Sequence, residues 1–244
     1  MNLEWPVKVN KEIPQNFDPM WFGGLIEVAG SVILTVGTEN RNGRQYIKVT
    51  PIITMKDNDW GRIKKLEEYA GGLARHISPI ESSPYQWAAR GYYAVELARL
   101  VKPYAPSRQE AFTAFENWAN EDEPEQREEI ARELQSIEGG RNEVLEYDYR
   151  QLVTQSNFVA GVVDARGGFY NKNIPYAGDN LPYHDWVIPR LETHSQNQPL
   201  LEALHEKWGG VVDRWDWIVG KETGLMPLIE FIAPELKLRS IEPK

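Results

Sequence analysis

The sequence predicts an α+β fold built as a tandem duplication, two pseudo-symmetric αββαββα units with antiparallel sheets. Three observations predict it. First, Trp21–Ser31, WFGGLIEVAGS, is echoed by Asn157–Gly168, NFVAGVVDARGG: Gly24 falls on Gly161, Glu27 on Asp164 and Gly30 on Gly167, each pair 137 residues apart. Second, WGRIKKLEEYAGG at Trp60–Gly72 overlays QPLLEALHEKWGG at Gln198–Gly210 at an offset of 138. Landmarks that keep one offset to within a residue mark a duplicated unit, where two unrelated apolar helices would not. Third, the segments between these landmarks alternate apolar and polar residues, the pattern of half-buried strands.

Each element has a local cause. Residues 1–17 read as an arm, with Pro6 and Pro14 blocking helix. Asp18 is placed to cap a helix whose first position is Pro19, and which runs to about Ala29. Its Gly23-Gly24 pair is expected to let another backbone approach closely, and the repeat supplies the partner at Ala160-Gly161. SVILTVGTE and RQYIKVTPIIT then flank Asn42-Gly43, a strong hairpin signal. Alternation puts Val32, Leu34, Val36, Ile47, Val49 and Ile53 on the buried face, leaving Arg44, Tyr46, Lys48 and Thr50 on the open one. Asp57 or Asp59 caps a helix that Gly71-Gly72 ends. A strand pair is expected within Leu73–Trp87, a helix near Ala88–Val101, and another from Ser107 with a Phe112, Phe115, Trp118 stripe.

The expected units are 18–118 and 151–244, joined by an acidic connector at 119–150. The connector's Glu121–Glu138 helix spaces Ile130, Leu134 and Ile137 for contact and is otherwise a solvated face. The second unit repeats the order, with a helix at 156–166, strands near 168–174 and 185–194, and a helix from Asn197 to Trp208. Strands near 211–219 and 225–233 end it, so the second copy reads as trimmed of its closing helices.

Composition narrows the function classes. The chain has 244 residues, 41% hydrophobic and 26% charged, with no cysteine and four scattered histidines. Disulfides and thiolate zinc sites are excluded, and no metal-ligand spacing occurs. No apolar run reaches the roughly 20 residues of a membrane span, and the N-terminal stretch lacks the apolar core of a signal peptide. The expectation is a monomer in the cytoplasm or an organellar matrix, without a membrane partner. The net charge of −9 is uneven: +2 over residues 1–105, −8 over 106–150 and −3 over 151–244. The acidity therefore sits in the connector. Ser31–Lys65 is basic, with Arg41, Arg44, Lys48, Lys56, Arg62, Lys64 and Lys65 against Glu39, Asp57 and Asp59.

The order helix–hairpin–helix–hairpin–helix, twice, opened each time by a degenerate xxGxxxxxG, resembles the LAGLIDADG homing-endonuclease family in its two-motif, single-chain form. The resemblance covers most of residues 18–240. It implies that the two motif helices pack together through Gly23, Gly24, Ala160 and Gly161, and that each sheet forms half of a saddle over the DNA major groove. It also implies magnesium-assisted phosphodiester hydrolysis by the last acid of each motif. Those two positions here are Ala29 and Arg166. Alanine offers no ligand atom and arginine repels a cation, so no catalytic residue and no cofactor is predicted. Magnesium enters only if nuclease activity survives through Glu27 and Asp164. These lie two residues earlier, about 200° away around the helix.

The nucleic-acid candidates are Arg41, Arg44, Tyr46, Lys48 and Thr50 on the first sheet and Arg190 on the second. The second sheet is poorer, with Lys172 and Arg190 against Asp179, Asp185 and Glu192. It is rich in rings instead: Tyr170, Tyr176, Tyr183, His184, Trp186 and His194. Three functions follow. One is a nuclease-inactive pseudoenzyme, intron- or intein-related, that binds DNA or structured RNA as a maturase-like helper or regulator. Another is an active metal-dependent, site-specific endonuclease using the displaced acids. The third is a domesticated structural protein holding a protein or ribonucleoprotein partner. Phosphate loops and nucleophile signatures of other enzyme classes are absent from the sequence.

Overall fold

In the computed structural model, residues 12–41, 43–78, 84–139, 147–175, 185–220 and 223–239 are described. For Arg41, Arg44, Tyr46, 135–139, 170–175 and 185–190 the description covers the backbone alone. Contacts divide the chain into two units, Met1–Pro19 with Gly30–Leu145, and Met20–Ala29 with Glu146–Lys244. The first motif helix, α1 (Pro19–Ala29), thus groups with the second unit, although the hairpin that follows it in sequence does not.

The first unit holds β1 (Ser31–Arg41) and β2 (Arg44–Asp57), whose antiparallel register closes on Arg41 opposite Arg44 with Gly43 at a φ of 75°. The positive φ is what a tight hairpin turn requires and what glycine supplies. Then come α2 (Trp60–Ala70), β3 (Leu73–His76), β4 (Tyr85–Arg90), α3 (Tyr92–Val101), α4 (Gln109–Asn120) and α5 (Pro124–Gly139). The sheet order is β1-β2-β4-β3. Asp59 caps α2, its carboxylate accepting from the Arg62 N–H at 3.2 Å.

Three expectations need correction here. Ala88 and Ala89 belong to β4, opposite Thr54 and Ile53, and the helix waits until Tyr92 because Gly91, at a φ of 62°, breaks the strand. Val36 and Ile47 lie on the helix-covered face by register but are 42% and 43% exposed, since the long hairpin outruns the helices over it. The connector helix α5 packs on β1, β2 and α4, burying Ala131 and Leu134, and Arg127 lies 4.9 Å over the Trp118 ring. It is part of the first unit's helix layer.

The second unit pairs α1 with α6 (Ser156–Arg166), followed by β5 (Gly167–Pro175), β6 (Asp185–His194), α7 (Gln198–Trp208), β7 (Val211–Asp213), β8 (Asp216–Gly220) and α8 (Leu225–Ile232). Its sheet order, β5-β6-β8-β7, reproduces that of the first. The expected strand at 211–219 is a hairpin turning at Arg214, which sits at a φ of 54°. The expected strand at 225–233 is the helix α8. Leu225, Leu228 and Ile232 recur at helical spacing and are all buried, and a short apolar run satisfies a strand template equally well until packing decides. The second copy therefore keeps its closing helix. Among the described residues, α4 and α5 lack a counterpart.

A further repeated device links each helix end to its sheet. Gly71-Gly72 and Gly209-Gly210 all have positive φ, between 61° and 89°. The buried indoles of Trp87 and Trp217 donate to the Gly71 and Gly209 carbonyls at 2.6 and 2.9 Å. Bonds to an otherwise orphaned helix-end carbonyl fix where the next strand begins.

Candidate nucleic-acid interface and the motif-helix ends

Within the second unit, α1 and α6 meet backbone to backbone. A Cβ placed on Gly24 would lie 2.1 Å from the Phe158 carbonyl oxygen, and one on Gly161 would lie 1.9 Å from the Trp21 carbonyl oxygen. The obstructing residues, like the glycines, are 137 apart, so the contact is reciprocal. Gly23 and Ala160 are buried in the same helices, but the closest approach belongs to Gly24 and Gly161.

The motif acids face inward. Glu27 is 3% exposed, and its Oε2 accepts from the Tyr149 hydroxyl at 2.6 Å and from Asn197 Nδ2 at 2.8 Å. Asn197 in turn caps α7, accepting from the Leu200 N–H at 3.2 Å. Asp164 is 1% exposed and accepts from Trp21 Nε1 at 2.9 Å and from the backbone N–H groups of Lys237 and Arg239 at 2.7 and 2.8 Å. Each carboxylate ties its motif helix to a neighbouring segment of the unit.

The helix ends are cationic. Ala29 is half-buried and Arg166 exposed. In the first unit Arg108, from the segment following α3, donates to the Gly30 carbonyl at 3.0 Å. In the second unit Arg239, from the segment following α8, donates to the Asp164 and Ala165 carbonyls at 3.0 and 3.4 Å. The magnesium implied by the family resemblance needs exposed oxygen ligands. Ala29 and Arg166 supply none, and the oxygens of Glu27 and Asp164 are already engaged. Among the described residues no group of three acidic, histidine or cysteine side chains is placed to hold a metal ion. The residues do not fit the metal.

Burial pushes the Asp164 carboxyl above its ordinary value of 3.8, outweighing the pull of its backbone donors and of the Trp21 indole. A raised value means that the folded chain binds this proton more tightly than the unfolded chain. The contribution is present in full below the ordinary value and is lost as pH rises through the raised one. Urea denaturation from about pH 3 to pH 7 is expected to show wild-type stability, relative to Asp164→Asn, falling across that window. A difference that grows with pH contradicts it.

The open face of the first sheet is basic. By register it carries Arg41, Arg44, Tyr46, Lys48, Thr50, Ile52, Thr54 and Lys56 on β1 and β2, then Gln86, Ala88 and Arg90 on β4 and Leu73 and Arg75 on β3. Side chains of Arg41, Arg44 and Tyr46 lie outside the described residues. Thr50 is half-buried, and Lys48 is exposed with its ammonium 3.5 Å from Glu39. Arg75 donates through Nε and Nη2 to the side-chain Oε1 of Gln86 at 2.9 and 2.5 Å. Burial and then the neighbouring Arg90 hold its guanidinium below the ordinary value. Two cations thus act on one another on this face. Arg75 and Arg90 were not among the sequence candidates, because β3 and β4 are too short for alternation to show which way they face.

The open face of the second sheet differs. It carries Glu192 and His194 on β6, Ile218 and Asp216 on β8, and Val211 and Asp213 on β7, with His194 Nδ1 3.0 Å from an Asp216 oxygen. Arg190 shares this face by register, but its side chain lies outside the described residues, as do those of Tyr170, Lys172 and Trp186. Tyr176, Asp179, Tyr183 and His184 lie wholly outside them. Asp185 is described by its backbone alone.

No protein-family model matches the sequence, and no curated protein is significantly similar to it. Solved structures are similar. The LAGLIDADG homing endonuclease I-SmaMI bound to cleaved DNA aligns at a TM-score of 0.63 with 14% identity, over 90% of this chain and 85% of that one. The meganuclease I-AabMI bound to uncleaved DNA gives 0.56 with 12% identity, over 89% and 84%. I-GzeII in complex with its DNA target gives 0.56 with 13% identity, over 88% and 84%. At such identities the likeness concerns the fold. Together with the duplicated units, the reciprocal glycine contact and the degenerate motifs, it establishes that this chain has the single-chain LAGLIDADG homing-endonuclease fold.

Proposed function

We propose that this chain binds nucleic acid, duplex DNA first of all, through the open face of its first sheet, without hydrolysing it. The observation that carries the reading is the set of Lys48, Lys56, Arg75 and Arg90 on one open sheet face, with Arg41 and Arg44 on the same face by register. Structural relatives are seen on DNA. Affinity for a polyphosphate depends on how many charges the protein neutralises, so such a face is what a phosphate backbone would select. The motif-helix ends favour binding alone. Their two family acid positions hold Ala29 and Arg166, and the remaining acids are committed to internal hydrogen bonds.

Fluorescence anisotropy with a labelled mixed-sequence duplex, and in parallel a structured RNA, tests this reading. Binding is expected to weaken steeply with salt. The Lys48→Ala, Arg75→Ala, Arg90→Ala triple variant is expected to bind about a hundredfold less tightly at low salt, with a salt slope shallower by roughly 2 to 3. Tighter binding to RNA than to duplex would move the reading to a maturase-like helper. No binding to either would favour the interaction-protein alternative, with a protein or ribonucleoprotein partner.

A further inference from the structure

The two sheets share one strand order and one register, so positions can be matched between them. Gly30 with Gly167, Gly72 with Gly210, and the paired indoles Trp87 with Trp217 fix the alignment. From these anchors, Thr54 matches Glu192, Lys56 matches His194, Arg75 matches Asp213, Gln86 matches Asp216 and Arg90 matches Gly220. Over these five positions of the open face, the first unit therefore presents three cations and no acid. The second presents three carboxylates and neither lysine nor arginine at the same positions. Asp213 is exposed, and Glu192 and Asp216 are half-buried.

We infer that the open sheet face of the second unit does not take up phosphates as that of the first does: the first holds them, and the carboxylates of the second repel them. This rests on the nucleic-acid reading above and adds to it that, of two faces alike in strand order and register, the first alone accepts a phosphate backbone. Arg75 is matched by the carboxylate of Asp213, Lys56 by His194 and Arg90 by Gly220, while Glu192 and Asp216 add acids where the first unit has Thr54 and Gln86, so the second row repels a phosphate backbone that the first attracts. Like-charge juxtaposition is how a surface rejects a partner. Lys172 and Arg190, which share this face by register, are fewer than the three carboxylates.

The test uses the full chain, a labelled mixed-sequence DNA duplex and four proteins: wild type, a Glu192→Thr, Asp213→Arg, Asp216→Gln variant that copies the first unit's row, Arg190→Ala and Arg90→Ala. Thermal unfolding first checks that each is folded. The copied row is expected to raise affinity about tenfold or more and to steepen the salt slope by about 1, the value for one added phosphate contact. Arg190→Ala is expected to bind within about twofold of wild type, against a clear loss for Arg90→Ala. If wild type binds and the copied row changes neither affinity nor slope, the inference is overturned. Arg190→Ala weakening binding as much as Arg90→Ala overturns it as well. If wild type and the copied-row variant both fail to bind, the nucleic-acid reading itself falls and takes the inference with it.

Discussion

Gly161→Val is expected to leave the chain without a stable second unit. A Cβ at this position meets the Trp21 carbonyl oxygen at 1.9 Å and the Trp21 carbonyl carbon at 2.9 Å, atoms of a helix backbone that no rotamer change can move aside. Ordinary overpacking costs about 1–3 kcal/mol because side chains shift. Here two helices must separate, uncovering Trp21, Phe22, Phe158 and Val162, all fully buried. The cost is on the order of 4 kcal/mol or more, a large part of a domain's whole stability. Gly24→Val should do the same from the other side, against the Phe158 carbonyl. Gly37→Ala is the control, since its added Cβ would find nothing nearer than the Lys48 carbonyl at 4.0 Å. Thermal unfolding followed by tryptophan fluorescence reads all three. A Gly161→Val protein that melts within a few degrees of wild type contradicts the contact.

Asp164→Ala is the second large effect. It removes the acceptor of the Trp21 indole and of the Lys237 and Arg239 backbone N–H groups at once. Each buried donor left without a partner costs about 1–3 kcal/mol, so a loss on the order of 4 kcal/mol is expected. The segment around Lys237–Arg239 should become sensitive to protease. Glu27→Ala should cost less, because Asn197 Nδ2 still reaches the Tyr149 hydroxyl at 2.6 Å. Acids held for metal catalysis behave oppositely: removing them relieves repulsion and leaves stability unchanged or raised. Stability that is unchanged in Asp164→Ala would therefore revive a displaced-acid nuclease.

Much of this molecule is legible from local chemistry. Pro19 opens α1, Gly43 turns the first hairpin, and the Gly24–Gly161 spacing anticipates the helix contact, because each depends on a few neighbouring residues. What escapes depends on packing. The run Leu225–Ile232 satisfies strand and helix alike until Leu225, Leu228 and Ile232 find a common buried face. Val36 and Ile47 look like core residues, and only the length of the helix layer leaves them exposed. The roles of Arg75 and Arg90 need the register of β3 and β4, which no pattern of four to six residues fixes. The inward turn of Glu27 and Asp164 is half legible. Their distance around the helix from the family's acid positions is plain, whereas Tyr149, Asn197 and Lys237 arrive from far along the chain.

Binding without hydrolysis is the central claim, and one preparation can test both halves. The protein is incubated with a plasmid carrying the flanking DNA of its own gene, in magnesium, manganese or EDTA, and the same samples are run for mobility shift and for cleavage. The expected result is a salt-sensitive shift that is the same with metal or EDTA, with the plasmid neither nicked nor linearised. Metal-dependent nicking or cutting, abolished by EDTA and by Glu27→Gln or Asp164→Asn, would contradict it.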